Sequence, residues 1–133
     1  MRVPFKALVT AVLYLVVLLP LLVTDNDGRP HPRAYLLEFR HGSGRRLVVD
    51  AILNTAVFVP LGWLLHRAIR DLPTSTAGRL AIVAAVGATF SLTVETLQFL
   101  LPSRYSSLID VLTNTTGAVL GAALAAGWRG GRT

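Results

Sequence analysis

The sequence predicts an all-α fold: an integral membrane bundle of four transmembrane helices. Three observations carry this. The chain is 53% apolar and only 15% charged, whereas soluble domains carry roughly 25% charged residues. Its mean hydropathy is positive, +0.57. Its polar residues are gathered into stretches between four apolar runs, each near the ~20 residues needed to cross ~30 Å of hydrocarbon. Soluble core helices need polar faces toward water, and these runs have none. The 133 residues read as a single domain, 1–133, without internal repeat or low-complexity stretch.

The first span covers about 5–23. Arg2 and Lys6 give it a basic start, as in a secretory signal peptide. Its exit reads Leu22-Val23-Thr24-Asp25, with no small-x-small cleavage site, and the apolar run is longer than a typical signal core. It is expected to be a retained helix. The second span covers about 48–66, with Pro60 and Gly62 inside it as an expected kink, which a membrane bundle tolerates. The third covers about 80–101 and the fourth about 108–128.

The connections differ in kind. Residues 24–47 form the one long loop; its middle, Tyr35-Leu36-Leu37-Glu38-Phe39, is apolar enough to lie on the membrane surface. Residues 67–79, with Pro73-Thr74-Ser75-Thr76, read as an ordinary turn. Residues 102–107 are so few that spans three and four must be antiparallel neighbours.

Composition also excludes classes. There is no cysteine, so disulfides and thiolate-ligated metals are absent and the redox compartment cannot be read. His31, His41 and His66 lack metal-ligand spacing, and no metal or other cofactor is expected. The net charge is +6, but the basic residues flank apolar runs and form no face of their own. The expected partners are therefore membrane lipids, not nucleic acid. With the N-terminus inside, seven Lys and Arg residues fall inside and six outside. This slight bias predicts cytoplasmic termini.

The polar residues within the spans converge on one membrane end. Asp50 and Asn54 open the second span, Glu95 and Gln98 close the third, Arg104 lies in the short loop, and Asp110 and Asn114 open the fourth. Because odd and even spans run in opposite directions, all seven lie within a few turns of the same surface. Spacing places them on common faces: Asp50 with Asn54, Ser91 with Glu95 and Gln98, and Asp110 with Asn114, Gly117 and Gly121. Gly117 and Gly121 form a G-x-x-x-G, which lets helices approach closely. Together with Ala118, Ala122, Ala125 and Ala126 it marks the fourth span as the expected central packing helix.

Each residue also has a structural reading. Asp110 follows Ser107 at capping-box spacing, and an acid suits a helix start. Arg104 can snorkel to phosphate headgroups. Asp50 and Arg46 can mark the water boundary. Asn54, Gln98 and Asn114 can be interhelical glue. Glu95 is hardest to assign this way. It lies about six residues, ~9 Å, inside its span, where an ionisable group costs at least ~2.5–3.5 kcal/mol. It needs a partner or a wet cavity, and Arg104 is the nearest candidate.

Three stretches resemble the VanZ-like family of bacterial membrane proteins. They are Leu53-Asn54 through Phe58-Val59-Pro60-Leu61-Gly62; Glu95-Thr96-Leu97-Gln98; and Arg104 followed by Asp110-Val111-Leu112-Thr113-Asn114-Thr115-Thr116-Gly117 and on to Gly121. They extend over residues 50–122. The resemblance singles out Asn54, Glu95, Gln98, Arg104, Asp110, Asn114, Gly117 and Gly121. Where the family often has an Ile-Pro-Phe-like stretch before the second span, this chain reads Leu36-Leu37-Glu38-Phe39, in a longer loop. The family's named member is similar to a factor giving low-level resistance to the lipoglycopeptide teicoplanin. The resemblance implies a role in the bacterial cell envelope, in the cytoplasmic membrane, and not a particular reaction.

Three functions follow from the residues. In the first, the cluster binds a lipid-linked anionic envelope precursor or a lipoglycopeptide: Arg104 pairs with the anion, and Asn54, Gln98 and Asn114 hydrogen-bond it. In the second, the chain is a small membrane hydrolase or transferase, with Glu95 as general base, Asp110 as second acid and Arg104 stabilising negative charge. No nucleophile motif or phosphate loop accompanies it. In the third, the chain is an assembly factor whose cluster only specifies packing. Orientation can be tested at once, because the chain lacks cysteine. Single cysteines replacing Ser43, Ser75, Ser106 or Thr133 are treated with a membrane-impermeant thiol reagent on intact cells. Positions 43 and 106 should label; labelling of 75 and 133 instead would invert the orientation.

Overall fold

A computed structural model describes residues 5–23, 44–100 and 107–128. They form four helices: α1 (Phe5–Val23), α2 (Gly44–Ala68), α3 (Thr76–Leu100) and α4 (Leu108–Gly127). The fold is an all-α bundle. The loop stretch Tyr35–Phe39 and Arg104, both assigned roles above, lie outside the described residues. Three helices are long and apolar enough to cross a membrane, over Val48–Ala68, Thr76–Gln98 and Leu108–Gly127, while α1 carries a shorter apolar stretch, Phe5–Pro20.

Hydropathy places the ends of α2 and α3 inside the hydrocarbon, but both helices continue past it. α2 begins at Gly44 and α3 at Thr76, each four residues before the expected start. Helical hydrogen bonding runs until a cap or turn stops it, not until the apolar residues end. For α3 that stop is Ser75, whose Oγ accepts the Gly78 amide at 3.0 Å, a standard N-cap arrangement. The turn before it is more than an ordinary one. The Arg79 guanidinium donates to the carbonyls of Arg70 (3.3 Å), Leu72 (3.3 Å) and Thr74 (2.8 Å), tying together the turn that follows α2.

The bundle is organised around a seam between α2 and α4. Both cross the membrane in the same direction, so they run parallel. Their backbones meet at small residues. A Cβ placed on Gly62 would fall on the Ala118 carbonyl, one on Gly117 on the Thr55 carbonyl, and one on Gly121 on the Val59 carbonyl. α4 was expected to be the central packing helix. Its contacts with α2 and α3 are the two most extensive in the bundle, while α1 packs on α2 and α3 and does not reach α4. The physical reason is that Gly62 lets α2 approach α4 on one face while its other faces remain free for α1 and α3.

α3 packs antiparallel to α4. Phe58 and Leu61 of α2, Val83 of α3, and Ala118 and Ala122 of α4 are fully buried against one another, with Leu18 of α1 joining them. The Phe58 and Phe90 rings meet at 6.0 Å. α1 is anchored by Tyr14, whose hydroxyl donates to the Val57 carbonyl at 2.5 Å. α2 is helical through Pro60, although proline cannot donate to the carbonyl four residues earlier. Large apolar residues such as Ile52, Leu53, Val86, Leu92, Leu112 and Leu124 are exposed, which suits a surface solvated by lipid.

Alanine substitution separates the seam from the rest. Gly62→Ala and Gly121→Ala each place a methyl group on backbone, so each should cost about 3 kcal/mol, the upper end of ordinary overpacking penalties. Gly127 has nothing within 4 Å of an added Cβ, and Gly127→Ala should stay within about 0.5 kcal/mol. Unfolding titrations in mixed micelles would check this; equal stabilities for all three variants would show that the close approach is not needed.

Candidate functional site

The site forms where the end of α3 meets the start of α4. Ser91, Glu95 and Gln98 occupy one face of α3, and all three are buried. Asn114, one turn into α4 beyond Asp110, is buried as well. Glu95 is only 2% exposed and ranks among the largest fully enclosed side chains of the bundle. An apolar exterior around a polar interior reverses the soluble pattern, and it is what a bilayer imposes on groups that need hydrogen bonds.

Hydrogen bonds tie α3 to α4 here. Asn114 Nδ2 donates to Ser91 Oγ at 2.8 Å. The backbone amide of Ser107 donates to Glu95 Oε2 at 2.6 Å. Ser107 is the N-cap of α4, with extended backbone at φ −139° and ψ 124°. Its own hydroxyl makes no capping bond, so the hydroxyl half of the capping box suggested by Ser107 and Asp110 does not form. The Glu95 carboxylate of the neighbouring helix takes the amide of Ser107 itself, the group that a capping box assigns to its acid. It also faces the positive end of the α4 dipole, which favours an acid there. Glu95 thus finds its described partner in backbone.

Asn114 carries a further feature. It is 3% exposed, and its Oδ1 is buried with no hydrogen-bond partner among the described residues. A buried acceptor left unsatisfied costs about 1–3 kcal/mol. In the middle of a polar cluster, this oxygen is poised to accept a hydrogen bond from a water or a bound group.

The remaining candidates take different positions. Asp50, Asn54 and Asp110 are half-buried, at the same membrane end as Glu95. Asn54 has Thr55 beside it, and the Thr55 hydroxyl donates to the Thr113 carbonyl of α4 at 3.3 Å. Gly117 and Gly121 lie on the α2 seam, not against the polar groups. Arg104 lies outside the described residues, three positions before Ser107 in sequence. Among the described residues, no three His, Asp or Glu side chains converge closely enough to hold a metal ion.

Sequence reasoning placed Ser91 on the Glu95 face but gave it no role; its position one turn before Glu95 was the available signal. The partnership of Ser107 had no side-chain signal, because it is made by a backbone amide. Chemically, the site offers carboxylate, amide and hydroxyl groups that can orient a polar ligand at one membrane end.

The two interhelical bonds should differ in weight. In a double-mutant cycle with Ser91→Ala and Asn114→Ala, the coupling should be about 0.6 kcal/mol, typical of interhelical hydrogen bonds in membranes. Glu95→Ala strands an amide at a helix start and should cost about 1–3 kcal/mol. Thermal unfolding in detergent measures both; a Glu95→Ala protein as stable as the wild type would show that the α4 amide does not need this carboxylate.

Comparison with known proteins adds one finding. No curated protein and no solved structure matches the chain. The family model described as VanZ/LLP1 matches residues 5–129, nearly the whole sequence, and this membrane-spanning chain belongs to the VanZ/LLP1 family.

Proposed function

We propose that this VanZ-like membrane protein acts in the bacterial cell envelope by binding a lipid-linked anionic component, or the lipid-anchored portion of a lipoglycopeptide antibiotic, in the polar cluster at the outer end of α3 and α4. The observation that carries the reading is Asn114 Oδ1, a buried acceptor without a described partner inside a membrane span and beside buried Ser91, Glu95 and Gln98. A ligand donor there would complete the cluster. Arg104 supplies the charge for a phosphate or carboxylate, Asn54 and Gln98 supply further hydrogen bonds, and Asp110 orients the ligand at the surface. The protein sits in the cytoplasmic membrane with both termini inside.

Catalysis by Glu95 and Asp110 is less well supported. Glu95 is enclosed and holds the Ser107 amide through Oε2, and the sequence shows no nucleophile motif to accompany it. A packing role has a specific observation in its favour: the Ser91–Asn114 and Glu95–Ser107 bonds both join α3 to α4.

Teicoplanin susceptibility can be measured in a deletion strain carrying wild type, Arg104→Gln, Asn114→Leu or Glu95→Gln, with the membrane level of each protein quantified. Binding predicts that Arg104→Gln and Asn114→Leu lose most of the protection at a normal protein level. Loss of the protein itself, in step with the phenotype, would favour assembly. Mass spectrometry of the deletion strain's lipids should show no accumulated precursor; one that accumulates and is cleared by wild type alone would replace binding with catalysis.

A further inference from the structure

A groove of about 570 Å³ runs between α2 and α4 at the membrane end opposite the polar cluster. Trp63, Leu120, Ala123, Leu124, Gly127 and Trp128 line it. Trp63 lies in the crossing segment Val48–Ala68, and Leu120 to Gly127 lie in the segment Leu108–Gly127. The groove is therefore solvated by lipid, not water. Its walls are open: Leu124 is 58% exposed and Trp128 63%. Small residues keep it empty, since nothing lies within 4 Å of an added Cβ at Gly127. The Trp63 and Trp128 rings meet edge to face, with centroids 5.8 Å apart, near the helix ends where indoles sit at headgroup level.

Among the described residues, Arg67 lies on the same helix face as Trp63, next to the residues that line the groove. Arg67 follows Trp63 by four residues, so it lies one turn nearer the membrane surface on the same face of α2. Arg67 is half-buried and makes no ion pair among the described residues. Its neighbour Arg70, by contrast, is paired with Asp71 at 3.5 Å.

We propose that the groove between α2 and α4 is a lipid site that holds one acyl chain of an anionic membrane lipid, with the lipid's phosphate on Arg67. The apolar walls suit a hydrocarbon chain, and a guanidinium one turn beyond Trp63, without an ion pair among the described residues, suits a phosphate. A second copy of this chain fits less well. Side by side in one membrane, two such grooves would bring two Arg67 cations to the same end. The lipid site is in the leaflet opposite the polar cluster and does not depend on what that cluster binds.

The site has its own reporter, because Trp63 and Trp128 are the chain's only tryptophans. Purified protein is placed in nanodiscs of unlabelled phosphatidylcholine, doped with acyl-brominated phosphatidylglycerol or acyl-brominated phosphatidylcholine. Bromine quenches indole fluorescence on contact. The anionic lipid should quench with a relative association constant about fivefold higher, equivalent to about 1 kcal/mol for one basic group near the surface. Arg67→Gln should remove the preference, and raising the salt concentration should shrink it in the unaltered protein. Ala123→Leu, which fills the groove, should lower quenching by the anionic lipid while helical circular dichroism is unchanged. Equal quenching by the two lipids, or a preference that survives both Arg67→Gln and high salt, would overturn the proposal. So would tryptophans shielded from both lipids while A123C chains cross-link in the bilayer, because a second copy would then fill the groove.

Discussion

The rest of the bundle depends on backbone approaching backbone along α2 and α4. In water, two apolar helices are driven together by the burial of their side chains. In hydrocarbon that drive is absent, because lipid tails are as apolar as leucine, and close packing must supply the association instead. Gly62 against Ala118, Gly117 against Thr55 and Gly121 against Val59 are three levels of one seam in which no room remains for a side chain. Phe58 and Leu61, fully buried beside the seam, and Ala118 and Ala122 across it give α3 and α1 a surface to pack on.

The seam also explains why polar groups can be buried at one end of so small a protein. With α2 and α4 held parallel and close, α3 lies against both, and its Ser91–Glu95–Gln98 face turns inward. Hydrocarbon offers these groups no hydrogen bonds, so the bundle must. Ser91 satisfies the amide of Asn114, and Glu95 satisfies the first amide of α4. The second bond works in both directions: the acid gains a donor in a place where charge is costly, and the N-cap amide gains an acceptor from another helix.

The two ends of the bundle are consequently different chemical environments. At one, Glu95, Gln98 and Asn114 are enclosed, and the Asn114 oxygen has no hydrogen-bond partner among the described residues. At the other, the α2–α3 turn is held by Arg79 through backbone carbonyls, and α2 and α4 leave an apolar groove flanked by two tryptophans.

Sequence alone determined the helical class, the membrane setting and the membrane end at which Asn54, Glu95, Gln98, Asp110 and Asn114 gather, because these follow from length, hydropathy and the alternating direction of successive spans. Periodicity likewise placed Gly117 and Gly121 on one stripe with Asp110 and Asn114. Which neighbour each face meets is a different kind of information. Only the tertiary structure decided that the glycine stripe faces α2 through Gly62, that α1 packs on α2 and α3 but not on α4, and that Glu95 binds the Ser107 amide. A backbone amide carries no residue-type signature, and a groove between two helices is a property of their distance. Helix ends were legible only to within a turn, because apolar composition marks the hydrocarbon boundary, whereas caps such as Ser75 decide where hydrogen bonding stops.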